Sequence, residues 1–194
     1  MAARDTGTEQ LIKDTAKQIF FAEGKLHATT QDIADAAGVN RTLVNYYFRS
    51  RDILFEQVAD EARTEMSVVL DTVFSAKLKF KEKVQQLINV FMDQAIKYPY
   101  REMFVVTESK RNERPVHEEK KNKIRQFLDE IKAEMELGKI KQMDPRHFLM
   151  NLFALMAYPL ITNCLNKSLY NINDAEYLAL MKERKQLIFE MIYQ

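Results

Sequence analysis

The segment TTQDIADAAGVNRTLVNYYFRSRDILF, residues 29–55, constrains this chain more than any other feature, because two short helical patterns meet in it at one glycine. Thr29 can cap the backbone N–H groups that follow it, and Asp32, three residues on, can complete a capping box that starts a short helix. Ile33, Ala34 and Ala37 share one face of that helix. Gly38 stands where the chain must turn, and glycine takes the positive φ of a helix C-terminus without steric penalty. Val39 fills the corner. The next helix is predicted from Asn40 or Arg41 to Phe48, with Leu43, Val44 and Phe48 facing inward and Arg41, Thr42, Asn45 and Tyr46 facing out. A short second helix that keeps a polar face free after a tight glycine turn is the arrangement of a helix-turn-helix.

Along residues 8–58 the chain presents TEQLIKDTAKQIFFAEG, then TTQDIADAAGV, then NRTLVNYYF, then RSRDILF. In this order of glycine, aromatic pair, phenylalanine and basic-Ser-basic step it resembles the tetracycline-repressor (TetR) family. The resemblance implies an all-α fold of about nine helices. A three-helix helix-turn-helix domain (residues 1–50) would precede a larger helical effector-binding and dimerisation domain (residues 51–194). It also implies that Thr30, Tyr46, Tyr47 and Arg51 bind phosphate oxygens of double-stranded DNA while Arg41, Thr42 and Asn45 approach base edges. Phosphate contacts position and base contacts specify; arginine suits guanine and asparagine suits adenine, so Arg41 and Asn45 are the expected readers. Thr42 stands where a small residue is common in the family and Asn45 where Tyr or Ser often appears. Both departures bear on which operator is read.

Charge supports DNA binding only locally. Lys and Arg balance Asp and Glu over residues 1–55, and the whole chain carries a formal net charge of +1. From Asn40 to Arg51, however, Arg41, Arg49 and Arg51 occur without an acidic residue, which concentrates positive charge where phosphates should lie. The single cysteine, Cys164, excludes an intramolecular disulfide and is expected to be a small buried apolar residue. The polar start MAARDTGTEQ does not read as a signal peptide, so a cytoplasmic location is expected. His27, His117 and His147 lie far apart, and no nucleophile elbow, phosphate loop or dinucleotide fingerprint accompanies them. Neither an enzyme nor a metal or other cofactor is expected.

Punctuation divides the remainder into helices. A first helix should stop at Gly24, and a fourth should run from Ser50 to about Phe74. Others are predicted over residues 80–98, from Tyr100 to about Lys110, from Pro115 to Gly138, from Asp144–Pro145 onward, and from Asn173 or Asp174 nearly to Gln194. The stretch FLMNLFALMAYPLITNCL, residues 148–165, is interrupted by Asn151, Pro159 and Asn163 and barely reaches spanning length. Burial on two sides, not a membrane span, is expected of it. With Tyr177, Leu178, Met181, Leu187 and Ile188 of the last helix it offers a homodimer interface through the last two helices, as the resemblance implies. Such a dimer would present two recognition helices to a palindromic operator. Met66, Leu70, Phe91, Met103, Phe104, Phe127 and Met156 are the expected lining of a pocket for a small apolar or amphipathic effector, because methionine adapts to variable shapes. Repression relieved by that effector is the expected mode, with an effector-free DNA organiser of the same fold as the alternative.

Overall fold

The structure is a computed structural model that describes residues 6–104 and 117–193, and among them there is no strand. Helix α1 (Thr6–Lys17) continues into a π-helical turn (Gln18–Ala22) and is followed by α2 (Thr30–Ala37), α3 (Arg41–Phe48) and α4 (Arg51–Ser75). Then come α5 (Phe80–Lys97), α6 (Glu118–Glu136), α7 (Pro145–Ile161), α8 (Asn163–Tyr170) and α9 (Asp174–Ile192). Residues 101–104 are also helical; the rest of the helix expected as far as Lys110, and the expected start at Pro115, lie outside the described residues. The chain forms two compact units. One comprises the residues up to Glu65 together with Tyr98–Arg101, the other Met66–Lys97 and the residues from Glu102 on.

In the first unit, Ile12, Ala16, Phe20, Phe21, Ile33, Ala34, Val44, Phe48 and Leu54 form the core. The π-helical turn explains how Ile19, Phe20 and Phe21, three consecutive residues, are all buried. Its widened ring, closed by the Glu23 N–H on the Gln18 carbonyl at 3.1 Å, holds one more residue than a regular turn. The Phe21 carbonyl accepts the Tyr100 N–H at 3.1 Å, so the Tyr98–Arg101 segment is built into this unit. Gly24 makes room for it: its φ is +73°, and a Cβ there would lie 2.8 Å from the Tyr100 ring. Lys13 pairs with Glu61 at 2.7 Å and Lys17 with Glu65, tying α1 to α4.

The second unit packs α5, α6, α7 and α9 around Leu87, Ile88, Phe91, Met92, Phe127, Ile131, Leu152 and Met156. Phe127 sits against Phe74 (4.9 Å between ring centroids) and stacks on Phe80 (5.5 Å). Lys83, only 4 % exposed, bonds both Glu130 carboxylate oxygens at 2.7 and 2.8 Å and reaches the Phe74 carbonyl at 3.4 Å. Its charge thus meets a carboxylate and the negative end of α4 together.

The stretch from Pro145 onward differs from the single helix expected there. It breaks at Thr162, and α7 and α8 are bent by 70°. Pro159, inside α7, has no N–H to offer the Leu155 carbonyl four residues back. Side chains of α9 serve this stretch: the Arg184 Nε–H donates to the Leu155 carbonyl at 2.9 Å, and the Tyr177 hydroxyl donates to the Pro159 carbonyl. Cys164, expected to be buried, is exposed, because it lies just past the break on a short helix that turns its face to solvent. No single described helix is long and apolar enough to cross a membrane. Only the bent pair of α7 and α8 together reaches that length and composition, and Phe148, Leu152, Met156 and Leu160 of α7 are buried in the unit's own core.

Candidate nucleic-acid interface

The helix-turn-helix assembles from local interactions. Thr29 accepts the Asp32 N–H at 3.2 Å while its own N–H donates to Asp32 Oδ2 at 2.7 Å, closing the capping box. The Thr29 N–H and hydroxyl hold the Asp32 carboxyl below the usual carboxylate range. Gly38 is left-handed (φ 66°, ψ 31°), and nothing lies within 4 Å of where its Cβ would be. Backbone conformation, not crowding, therefore calls for glycine here. Asn40 caps α3 by accepting the Thr42 N–H at 2.8 Å.

On α3, Val44, Tyr47 and Phe48 are buried, and Arg41, Thr42, Asn45 and Tyr46 are exposed, Tyr46 by 69 %. Those four form one polar face. Tyr47 points into the unit, 8 % exposed, with its ring edge-on to Tyr46 at 5.3 Å. Thr30, the first residue of α2, is also buried. Arg51, expected at a phosphate, is engaged by protein atoms on several sides. Its Nε–H donates to the Ala28 carbonyl at 3.3 Å, Nη2 donates to the Leu26 carbonyl, and Nη1 meets Asp52 Oδ1 at 3.1 Å. The guanidinium also lies over the rings of Phe55 (4.8 Å) and Phe20 (5.4 Å). No local signal announces this, because the carbonyls it binds lie 23 and 25 residues earlier in the chain.

α3 ends at Phe48 and α4 begins at Arg51, so two residues, neither a glycine, join the helices. Arg49 bears the strain, with φ 61° and ψ −39°.

The seven expected pocket residues occupy the second unit. Phe91, Phe127 and Met156 lie within its core, Phe104 is buried, Met66 and Leu70 are partly buried against the core, and Met103 is 36 % exposed. A cavity of about 550 Å³ opens elsewhere in this unit, between α7 and α9, where Phe148, Asn151, Leu155, Tyr158, Arg184 and Met191 contribute to its wall. Among the described residues no group of three or more His, Cys, Asp or Glu could hold a metal ion.

A capped helix, a left-handed glycine and a second helix with a free polar face define a DNA-binding helix-turn-helix protein. Residues 12–58 match the family model of bacterial regulatory proteins, tetR family, so this part of the chain carries a TetR-type helix-turn-helix domain. The fold extends the likeness along the chain. A TetR-family transcriptional regulator from Streptomyces coelicolor is 18 % identical with a TM-score of 0.58, over 97 % of this chain and 91 % of that one. A TetR-like regulator from Rhodococcus sp. RHA1 is 14 % identical with a TM-score of 0.58, over 96 % and 97 %. The fatty acid degradation regulator FadR from Bacillus halodurans is 18 % identical with a TM-score of 0.56, over 96 % and 97 %. No curated protein matches the sequence.

Proposed function

We propose that this chain is a cytoplasmic repressor that binds a palindromic operator as a homodimer and is released from it by a small apolar or amphipathic effector. The exposed face of Arg41, Thr42, Asn45 and Tyr46 on α3 carries the reading, because it joins base-reading and phosphate-binding chemistry on a helix with no acidic residue. Arg41, Thr42 and Asn45 address base edges and Tyr46 a flanking phosphate, whereas Thr30 and Tyr47, both buried, support that face from within. Selecting bound sequences from random duplex DNA tests the reading. Recovery of a two-fold symmetric site is expected; a chain that retains no duplex at low ionic strength is not this regulator. Arg41→Ala should lose roughly 1–3 kcal/mol on that site and relax preference at one base pair.

α7 and α9 are proposed as the dimer interface. Met150, Tyr158, Leu178, Leu187 and Met191 are large apolar side chains exposed on these helices, and the cavity between α7 and α9 adds concave apolar surface. Leu187→Glu is the appropriate test, since Leu187 is 40 % exposed whereas the neighbouring Ile188 belongs to the chain's own core. Halved mass by light scattering with unchanged helicity is expected.

The effector is proposed to bind among the helices between residues 51 and 138, with Met66, Leu70 and Met103 as its least enclosed contacts and Phe91, Phe104, Phe127 and Met156 behind them. The close packing of Phe127 on Phe74 and Phe80 favours a second reading, in which the protein organises DNA without a small effector. A thermal-shift screen separates the two. A concentration-dependent rise in Tm with an apolar acid or similar amphiphile supports the first, and no rise across the apolar classes supports the second. Two structures of similar fold are described as regulators of fatty acid metabolism or degradation, so fatty acids head that screen.

A further inference from the structure

Resting on the reading that α3 enters duplex DNA, we propose that Arg49 is the phosphate-binding residue at the far end of the recognition helix, while Arg51 serves as a structural pin. The Ser50 N–H bonds the Phe48 carbonyl at 2.6 Å, and this, with the φ of 61° and ψ of −39° at Arg49, is a positive-φ γ-turn centred on Arg49. Turns of this hand are rare and strained, and glycine would occupy the position with less strain. The fold gains nothing visible in return. Arg49 is exposed, and no hydrogen bond or ion pair holds its guanidinium among the described residues. A charged side chain whose backbone is strained while its guanidinium makes no hydrogen bond or ion pair among the described residues is accounted for by a partner outside the unit.

Position and charge say which partner. α3 has eight residues and therefore spans about 12 Å, close to the roughly 12 Å width of the major groove. A residue just beyond the end of a helix of that length comes to the rim of the groove, where the sugar-phosphate backbone runs. Arg51 is bound to the Leu26 and Ala28 carbonyls, and the nearby acid, Asp52, is bound to Arg51. Arg49 is thus the available cation at that end. Its planar guanidinium offers paired N–H donors to phosphate oxygens whatever the base sequence.

The test measures the affinity of the full-length protein for a selected operator and for an unrelated duplex across a salt series, alongside Tm. Arg49→Gly should raise Tm by roughly 2–4 °C, because the turn relaxes. The same variant should bind both duplexes about tenfold more weakly and lower the steepness of log K against log salt by about 0.9 for each subunit's lost contact. A stability gain joined to a binding loss is what a purely structural arginine would not produce. Arg49→Lys should keep affinity within about threefold and leave Tm unchanged. Arg49→Asn, which tolerates the left-handed region and carries no charge, should repeat the binding loss without the added flexibility of glycine. Wild-type salt slope and affinity in both Arg49→Gly and Arg49→Asn would overturn the assignment, as would a binding loss accompanied by a lower Tm in both. If the wild-type protein itself ignores duplex DNA, the reading of α3 falls and takes the Arg49 assignment with it.

Discussion

α3 and α7 each dominate a unit of this protein, and they are completed in opposite ways. α3 is short, draws its cap from Asn40 next to it, buries three residues and leaves Arg41, Thr42, Asn45 and Tyr46 to solvent. α7 is more than twice as long and has its carbonyls at Leu155 and Pro159 satisfied by side chains 29 and 18 residues away on α9. A helix completed by its neighbours in sequence can change its exposed face without changing its fold. A helix completed from a distance stands or falls with the unit around it. That difference suits α3 to the reading role proposed for it, in which specificity must vary, and α7 to a core whose shape must not.

The largest test of the contrast lies in the α7 unit. Phe127→Ala removes a ring that is 1 % exposed and packed on Phe74 and Phe80, and should cost about 3–5 kcal/mol in urea unfolding. A loss below about 1 kcal/mol would mean the unit repacks freely and is not built as described. Arg184→Met keeps the length of the side chain but leaves the Leu155 carbonyl without its donor, for a loss of about 1–3 kcal/mol. Tyr177→Phe should act in the same direction at Pro159. The two effects need not add, because both residues tie α9 to the same stretch of α7.

Smaller effects belong to α3. Asn40→Ala removes its cap and should cost about 1 kcal/mol, whereas Asn45→Ala on the exposed face should leave stability within about 0.5 kcal/mol while altering the selected operator. Equal destabilisation by the two would erase the distinction between cap and reader.

The smallest expected effect is a pH dependence in the α9 region. Burial, together with the bond to Glu134 and its charge, pushes the Tyr193 hydroxyl up to about 12. Because the folded value lies above the ordinary 10, the folded chain holds this proton more tightly. Its contribution is therefore complete below pH 10 and fades as the pH rises towards about 12. Tyr193→Phe should flatten that part of the stability profile, and an unchanged profile would show that the hydroxyl does not titrate with folding.

The legible parts of the structure are those governed by short sequence separations. Thr29 with Asp32, Gly38, and Ser50 before α4 each act on backbone groups within a few residues, so the start and stop of the helix-turn-helix could be read directly. Pro159 is visible as an interruption, but that Arg184 and Tyr177 of α9 take up the carbonyls at Leu155 and Pro159 is not. The π-helical turn at residues 18–22 was not legible either, since three adjacent apolar residues do not announce a widened helix. Arg51 shows the limit most clearly. It sits in a basic step that resembles a phosphate site, yet its donors face carbonyls brought beside it by the packing of α1 and the loop before α2.

The order of residues by itself determined the all-helical class, the capped helix-turn-helix and which side chains of α3 face away from its core. These follow from hydrogen bonds and steric limits acting over one or two helical turns. Tertiary packing alone decided which arginine near the end of α3 is taken up by the protein and which is left exposed. It also decided which side chains satisfy the α7 carbonyls at Leu155 and Pro159 and that the Tyr98–Arg101 segment lies on Gly24. Those outcomes depend on groups far apart in the chain meeting at hydrogen-bond or van der Waals distance, and no pattern of neighbouring residues encodes such a meeting.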